Sequence, residues 1–134
     1  MKKSFAFGAY PTMITPYNSD NTIDRGAVRA LVDWYWENGC SGIFASCQSS
    51  EIHCLSLSER VLHAQLVKEE ADRLAASNPG RTPMTVVASG HISNSFDKQV
   101  EELNAVAGTG IDALVLISNR LDIDNTSDAK WISD

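Results

Sequence analysis

The sequence predicts an α/β fold built on a parallel sheet. Two observations carry that prediction: four short apolar runs rich in β-branched residues, and amphipathic helical segments that alternate with them. Strands separated by helices pair in parallel through right-handed crossovers, since a tight turn can only join antiparallel neighbours. The composition fits a single globular domain over residues 1–134, with 43% hydrophobic and 21% charged residues.

Phe5 to Ile14 is apolar and aromatic, and it stops at Thr15-Pro16-Tyr17 and the polar loop Asn18-Ser19-Asp20-Asn21, so it reads as a strand and a turn. Pro11 weakens that strand, because a proline cannot donate to a ladder. Asp24 then sits at a helix N-cap. Ala27, Val28, Leu31, Val32, Trp34 and Tyr35 follow at helical spacing, until Asn38-Gly39 supplies a stop. Trp34, Tyr35 and Trp36 are consecutive and cannot share one face; Trp34 or Tyr35 is expected in the core and Trp36 at an edge or interface.

Gly42-Ile43-Phe44-Ala45 suits a strand buried on both faces, and the polar stretch Ser46 to Glu51 follows it. Ser56 and Glu59 form a capping box for a second helix from Leu57 to about Ala76, with Val61, Leu62, Leu66, Val67, Ala71 and Leu74 inward. After Asn78-Pro79-Gly80 the unit repeats. Met84 to Ala88 is a strand, Gly90 to Ser95 a loop, and Phe96, Val100, Leu103 and Ala107 mark one face of a third helix ended by Gly108 and Gly110. Ala113 to Ile117 is a fourth strand. Asn125-Thr126-Ser127 offers caps for a fourth helix that begins near Asp128 and is cut short at Asp134.

Charge and composition narrow the function. Eleven Lys and Arg against 17 Asp and Glu leave a net charge of -6, and Lys2-Lys3 is the only basic cluster, which argues against nucleic acid or an anionic membrane as partner. No apolar run approaches the roughly 20 residues of a membrane span, and the N-terminus lacks a signal-peptide core, so a cytoplasmic protein is expected. Cys40, Cys47 and Cys54 lack zinc-site spacing, and free thiols are expected, with Cys47 buried at a strand end. His53, His63 and His91 show no metal spacing either; His91 is a loop histidine or one that faces a pocket. Asp122, Asp124 and Asp128 lack the glycine and closing glutamate of a calcium loop. No metal or organic cofactor is implied.

An open doubly wound sheet fits within about 130 residues, whereas an eightfold barrel typically needs about 250. The open sheet usually carries a glycine-rich phosphate loop after its first strand, and here Thr15-Pro16-Tyr17 takes that place. The landmarks Thr15-Pro16-Tyr17, Ile23-Asp24, Gly39 with Gly42-Ile43, Leu55-Ser56 with Glu59-Arg60, Gly90, Asn94-Ser95 and Gly110-x-Asp112-Ala113-Leu114 point elsewhere. In that order they resemble the dihydrodipicolinate synthase and N-acetylneuraminate lyase family of Schiff-base aldolases. The resemblance implies the N-terminal half of a (β/α)8 barrel, about four βα units with the last helix truncated.

It also implies a reaction: cleavage or condensation of a carbon–carbon bond to pyruvate or a similar 2-oxo acid through a lysine imine. The family's carboxylate-binding loop, Gly-Thr/Ser-Thr-Gly-Glu, corresponds to Cys47-Gln48-Ser49-Ser50-Glu51, so Gln48, Ser49 and Ser50 are the substrate-binding candidates, and Glu51 is expected to bond the loop backbone. The family's Pro-Tyr-Tyr corresponds to Ser118-Asn119-Arg120-Leu121; Arg120 or Leu121 replaces the proton-relaying tyrosine, and Arg120 is a candidate for binding an anionic group. The Schiff-base lysine belongs to a sixth strand that these residues do not include. Lys2, Lys3, Lys68, Lys98 and Lys130 lie in the terminus or in helical segments, so the chain alone is expected to be inactive as an aldolase. The alternatives are a dehydratase-type branch of the family, or a non-catalytic half-barrel that forms homo-oligomers or binds a partner through its open edges.

Overall fold

A computed structural model describes residues 5–118. The first helix, α1 (Arg25–Glu37), starts where the Asp24 carboxylate accepts from the Ala27 amide at 2.9 Å. It ends at Asn38, and Gly39 turns the chain with a left-handed φ of 80°. The second, α2 (Leu57–Ser77), opens on the expected reciprocal box: the Ser56 hydroxyl accepts from the Glu59 amide and Glu59 accepts from the Ser56 amide at 2.8 Å. The third, α3 (Phe96–Ala107), is capped by Ser95. No described helix is long and apolar enough to cross a membrane.

Three strands, β1 (Gly42–Ala45), β2 (Thr85–Ala88) and β3 (Ala113–Leu114), pair in parallel in the order β1-β2-β3. Gly42 faces Thr85 and Ala45 faces Ala88, while Val87 and Ala88 face Ala113 and Leu114. The predicted first strand is not regular, since Thr12 alone bridges to Phe44. Around that bridge the Met13 amide donates to the Phe44 carbonyl at 3.0 Å, and the Phe44 amide donates to the Pro11 carbonyl at 2.9 Å. Pro11 therefore sits where the ladder uses its carbonyl and not the N–H it lacks. The fourth predicted strand is shorter than its apolar run, although the Val115 amide still donates to the Ala88 carbonyl at 2.8 Å.

Alternation along the strands sorts the two faces. Ile43, Ala45, Val86 and Ala88 are fully buried against the helices, where Met13, Val28, Val32, Val67 and Val106 complete the core. Phe44 and Val87, on the opposite face, are only half-buried, and Ile14 is 58% exposed. Among the described residues, helices thus cover one face of the sheet and leave the other open. Gly42 is required at the seam, because a Cβ there would lie 2.1 Å from the Tyr10 ring and 2.5 Å from the Thr85 carbonyl oxygen. Gly42→Ala is expected to cost about 3 kcal/mol by forcing the strands apart, measurable as a drop in the urea midpoint.

Three expectations about helix faces are corrected. Tyr35 is in the core as expected and Trp34 is 55% exposed, but Trp36 is core too, only 5% exposed, with the Arg81 guanidinium 3.8 Å over its ring. On α3 the inner face is Gln99, Glu102 and Val106, and Phe96 is 65% exposed. On α2, Arg60, His63 and Glu70 are buried beside the apolar residues, and Val61 and Leu62 are only half-buried. Glu70 is paired with Arg29 at 3.1 Å and with Arg73, which ties α2 to α1. The predicted fourth helix near Asp128, and Arg120, lie outside the described residues.

Candidate ligand cleft at the strand ends

Beyond β1 the chain enters one turn of 3-10 helix, Gln48–Ser50. Side chains clasp that turn onto the residues that precede α1. The Ser50 hydroxyl, 0% exposed, donates to the Met13 carbonyl at 2.6 Å and accepts from the Cys47 amide at 3.1 Å. Thr15 donates through Oγ1 to the Ser50 carbonyl at 2.7 Å. Glu51 takes the left-handed conformation, with φ 57°. Burial first and the Glu51 charge second push the Tyr17 phenol up from its usual range.

Ser46, with φ 44°, joins strand to turn, and His63 holds it in place. The Ser46 amide lies 3.3 Å from His63 Nδ1, and His63 Nε2 lies 3.3 Å from the Ile14 carbonyl. A carbonyl can only accept, so Nε2 carries the proton and Nδ1 is the acceptor. Burial pushes the imidazole down to about 4, against a smaller upward pull from the Ile14 carbonyl, and His63 is neutral at pH 7.

The result is a cleft of about 210 Å³ at the C-terminal end of the sheet, lined by Thr12, Phe44, Cys47, Gln48, Ser49, Val115 and Ile117. Its floor is apolar, and its polar groups are the exposed Gln48 amide and Ser49 hydroxyl together with Thr12. Cys47 is buried with Sγ 3.8 Å from the Met13 carbonyl, as a free thiol; Cys40 is partly buried and Cys54 exposed. Ser50 does not line the cleft, because its hydroxyl is committed within the clasp. Ser50→Ala would leave the Met13 carbonyl only the weak Cys47 thiol donor and strand the Cys47 amide, and is expected to cost about 1–3 kcal/mol in urea unfolding.

The loop after β2 is fixed by charge. Glu102 accepts from the amides of Ile92 at 2.9 Å and Ser93 at 3.1 Å, and pairs with Arg60 at 3.1 Å; Arg60 also donates to the Gly90 carbonyl. Burial works to raise the Glu102 carboxyl, but the Ile92, Ser93 and Arg60 donors outweigh it and hold it below the usual range. Among the described residues, no group of three or more His, Cys, Asp or Glu could hold a metal ion.

A profile of the dihydrodipicolinate synthetase family matches residues 6–118. The chain belongs to that family. It is 32% identical over 111 residues to 4-hydroxy-tetrahydrodipicolinate synthase from Cellvibrio japonicus, a stretch that is 83% of this chain and 35% of the relative. It is 29% identical to the corresponding synthase from Methanosphaera stadtmanae, over 83% of this chain and 34% of that protein. The dihydrodipicolinate synthase structure from Bacillus anthracis superposes with a TM-score of 0.70 at 24% identity, covering 84% of this chain and 36% of the other. That from Cyanidioschyzon merolae, solved with lysine bound, gives 0.67 at 26% identity, over 84% and 35%. The chain thus spans about a third of the length of the relatives it matches. These likenesses make the described helices and sheet the N-terminal portion of a (β/α)8 barrel, and put the cleft at the end where barrels of this kind build their sites.

Within that family frame, the structure brings Gln48 and Ser49 together on the cleft and puts Ser50 behind them. Lys68 is held on α2 by Asp72 at 2.8 Å and Asp112 at 3.6 Å, and Lys98 sits on the exposed side of α3. Neither lines the cleft. The sequence reading missed the walls Thr12, Phe44, Val115 and Ile117. Strict alternation from the core-facing Ile43 and Leu114 points to Phe44 and Val115, which a reading of Gly42–Ala45 as buried on both faces does not separate.

Proposed function

We propose that the chain is the N-terminal part, as one partial-barrel domain, of a dihydrodipicolinate synthase-like lyase or aldolase. It acts on pyruvate or a related 2-oxo acid through a lysine Schiff base, with the lysine supplied by residues other than these 134. The observation that carries this reading is the Gln48–Ser49 turn. It is clasped by Ser50 and Thr15 at the end of β1, over an apolar cleft, in a chain of this family. Gln48 can donate through its amide and Ser49 through its hydroxyl to a carboxylate, while Phe44 and Val115 receive the apolar end of a small acid. Ser50 serves by holding the turn, and Arg120 is proposed as a further anion contact. The stretch that resembles the family's Pro-Tyr-Tyr, Ser118-Asn119-Arg120-Leu121, carries no phenol, which supports a dehydratase-type branch as the alternative within the same proposal.

Binding of pyruvate to the folded chain would raise its stability by mass action, by about 2.7 kcal/mol at a hundred times the dissociation constant. A thermal upshift with pyruvate that Gln48→Ala and Ser49→Ala each reduce is the expected result; an equal shift in all three proteins would contradict it. Borohydride reduction with pyruvate is expected to leave the chain's mass unchanged, because Lys68 and Lys98 lie on helices. A second reading is a non-catalytic half-barrel that forms homo-oligomers, favoured by the open sheet face and the exposed Ile14. Sedimentation as a dimer or larger species, with no pyruvate response, would select it.

A further inference from the structure

His91 has no part in the ligand contacts proposed above, yet it is fully buried at the edge of the cleft wall. Its Nε2 lies 2.9 Å from the Ile117 amide nitrogen and its Nδ1 lies 2.7 Å from Gln99 Oε1. A backbone N–H can only donate, so Nε2 must offer its lone pair, and the proton sits on Nδ1 and is donated to Gln99. The sheet bond from Val115 to Ala88 is the last in the β3 ladder, and the imidazole takes over two residues later. Val115 and Ile117 line the cleft, and Ile117 immediately precedes Ser118-Asn119-Arg120, the stretch that aligns with the family's Pro-Tyr-Tyr.

We propose that His91 is a positioning residue: through Ile117 it fixes the cleft wall formed by Val115 and Ile117, with Gln99 setting the tautomer that makes this possible. The inference rests on the cleft being the ligand site only for its consequence in binding; the positioning stands on the geometry alone. Among the described residues, the groups bonded to the ring are the neutral Gln99 from α3 and the Ile117 amide, and the Arg60–Glu102 pair holds the residues on either side of it in sequence. That pair brackets His91 in sequence, Arg60 of α2 bonding Gly90 and Glu102 of α3 bonding Ile92 and Ser93.

Amide exchange of the ¹⁵N-labelled chain tests this. His91→Ala is expected to lose about tenfold or more of the protection at Ile117 while the amides of Val28 and Val86 keep theirs, and His91→Gln, which retains an acceptor, is expected to recover part of it. A scalar coupling between the Ile117 nitrogen and His91 Nε2 in the wild type decides the matter even where the alanine variant unfolds. Unchanged Ile117 protection in a folded His91→Ala variant, or an Nε2 that carries the proton at neutral pH, would overturn the proposal. Failure of pyruvate to bind while these results hold would refute the ligand reading and leave the positioning intact.

Discussion

Glu102→Ala is expected to destabilise the chain by about 3–5 kcal/mol, a large share of the roughly 5–15 kcal/mol that a domain possesses. The loss is not that of one ion pair. Glu102 is nine-tenths buried, neutralises an Arg60 that is equally buried, and satisfies the Ile92 and Ser93 amides and the Ser93 hydroxyl. Removing it strands a guanidinium with the Gly90 carbonyl and the Ser56 carbonyl as remaining partners among these contacts, and frees the Ile92–Ser93 part of the loop after β2. Urea unfolding measures the effect. The companion double variant, Arg60→Met with Glu102→Leu, removes both charges and is expected to recover part of the loss, since a desolvated pair is worth far less than the cost of orphaning one member. A loss under about 1 kcal/mol in Glu102→Ala would show that the pair is hydrated in solution.

His63 should make stability fall in mild acid. Its folded value of about 4 lies below the ordinary 6.5, so the unfolded chain binds the proton more readily. Its contribution is therefore fully present above pH 6.5 and is lost as pH falls toward 4. The whole shift corresponds to about 3 kcal/mol. The carboxylates with depressed values, Asp20, Glu59, Glu69, Glu70 and Glu102, act lower, from their ordinary 3.8 or 4.5 downward, while Asp33, raised first by burial, acts with the opposite sign above 3.8. The part of the slope between pH 6.5 and 4.5 that belongs to the imidazole is read by comparison with a variant that cannot titrate there. His63→Gln keeps a donor for Ile14 and an acceptor for Ser46 without titrating, and is expected to flatten the profile in that window. Equal slopes in both proteins would show that His63 is not the group responsible.

Most of the secondary structure is legible in the sequence because local chemistry sets it. Asp24, the Ser56–Glu59 box and the Asn38-Gly39 stop depend on residues within four positions of one another, and all three behave as expected. The helix faces are less legible, because their lining is decided by partners far away. Gln99 and Glu102 turn inward to meet His91 and the loop after β2, which outweighs the apolar stripe of Phe96 and Val100. Trp36 is drawn into the core beside Arg81, 45 residues on. In the cleft, Gln48 and Ser49 could be named from their place in the loop. The inward turn of Ser50, adjacent in sequence and alike in chemistry, depends on the Met13 carbonyl 37 residues earlier. His63 and His91 carry no local pattern that distinguishes a buried tie from a surface histidine.

The central claim is that Gln48 and Ser49 form a carboxylate-binding rim on the cleft at the end of the sheet. Titrating the ¹⁵N-labelled chain with pyruvate and following its amide shifts tests it most directly. Saturable shifts at Gln48 and Ser49 and along the Val115–Ile117 wall, weakened in Ser49→Ala, are the predicted result. Saturable shifts elsewhere, for example around Lys68 or Arg25, with Gln48 and Ser49 unmoved, would contradict it.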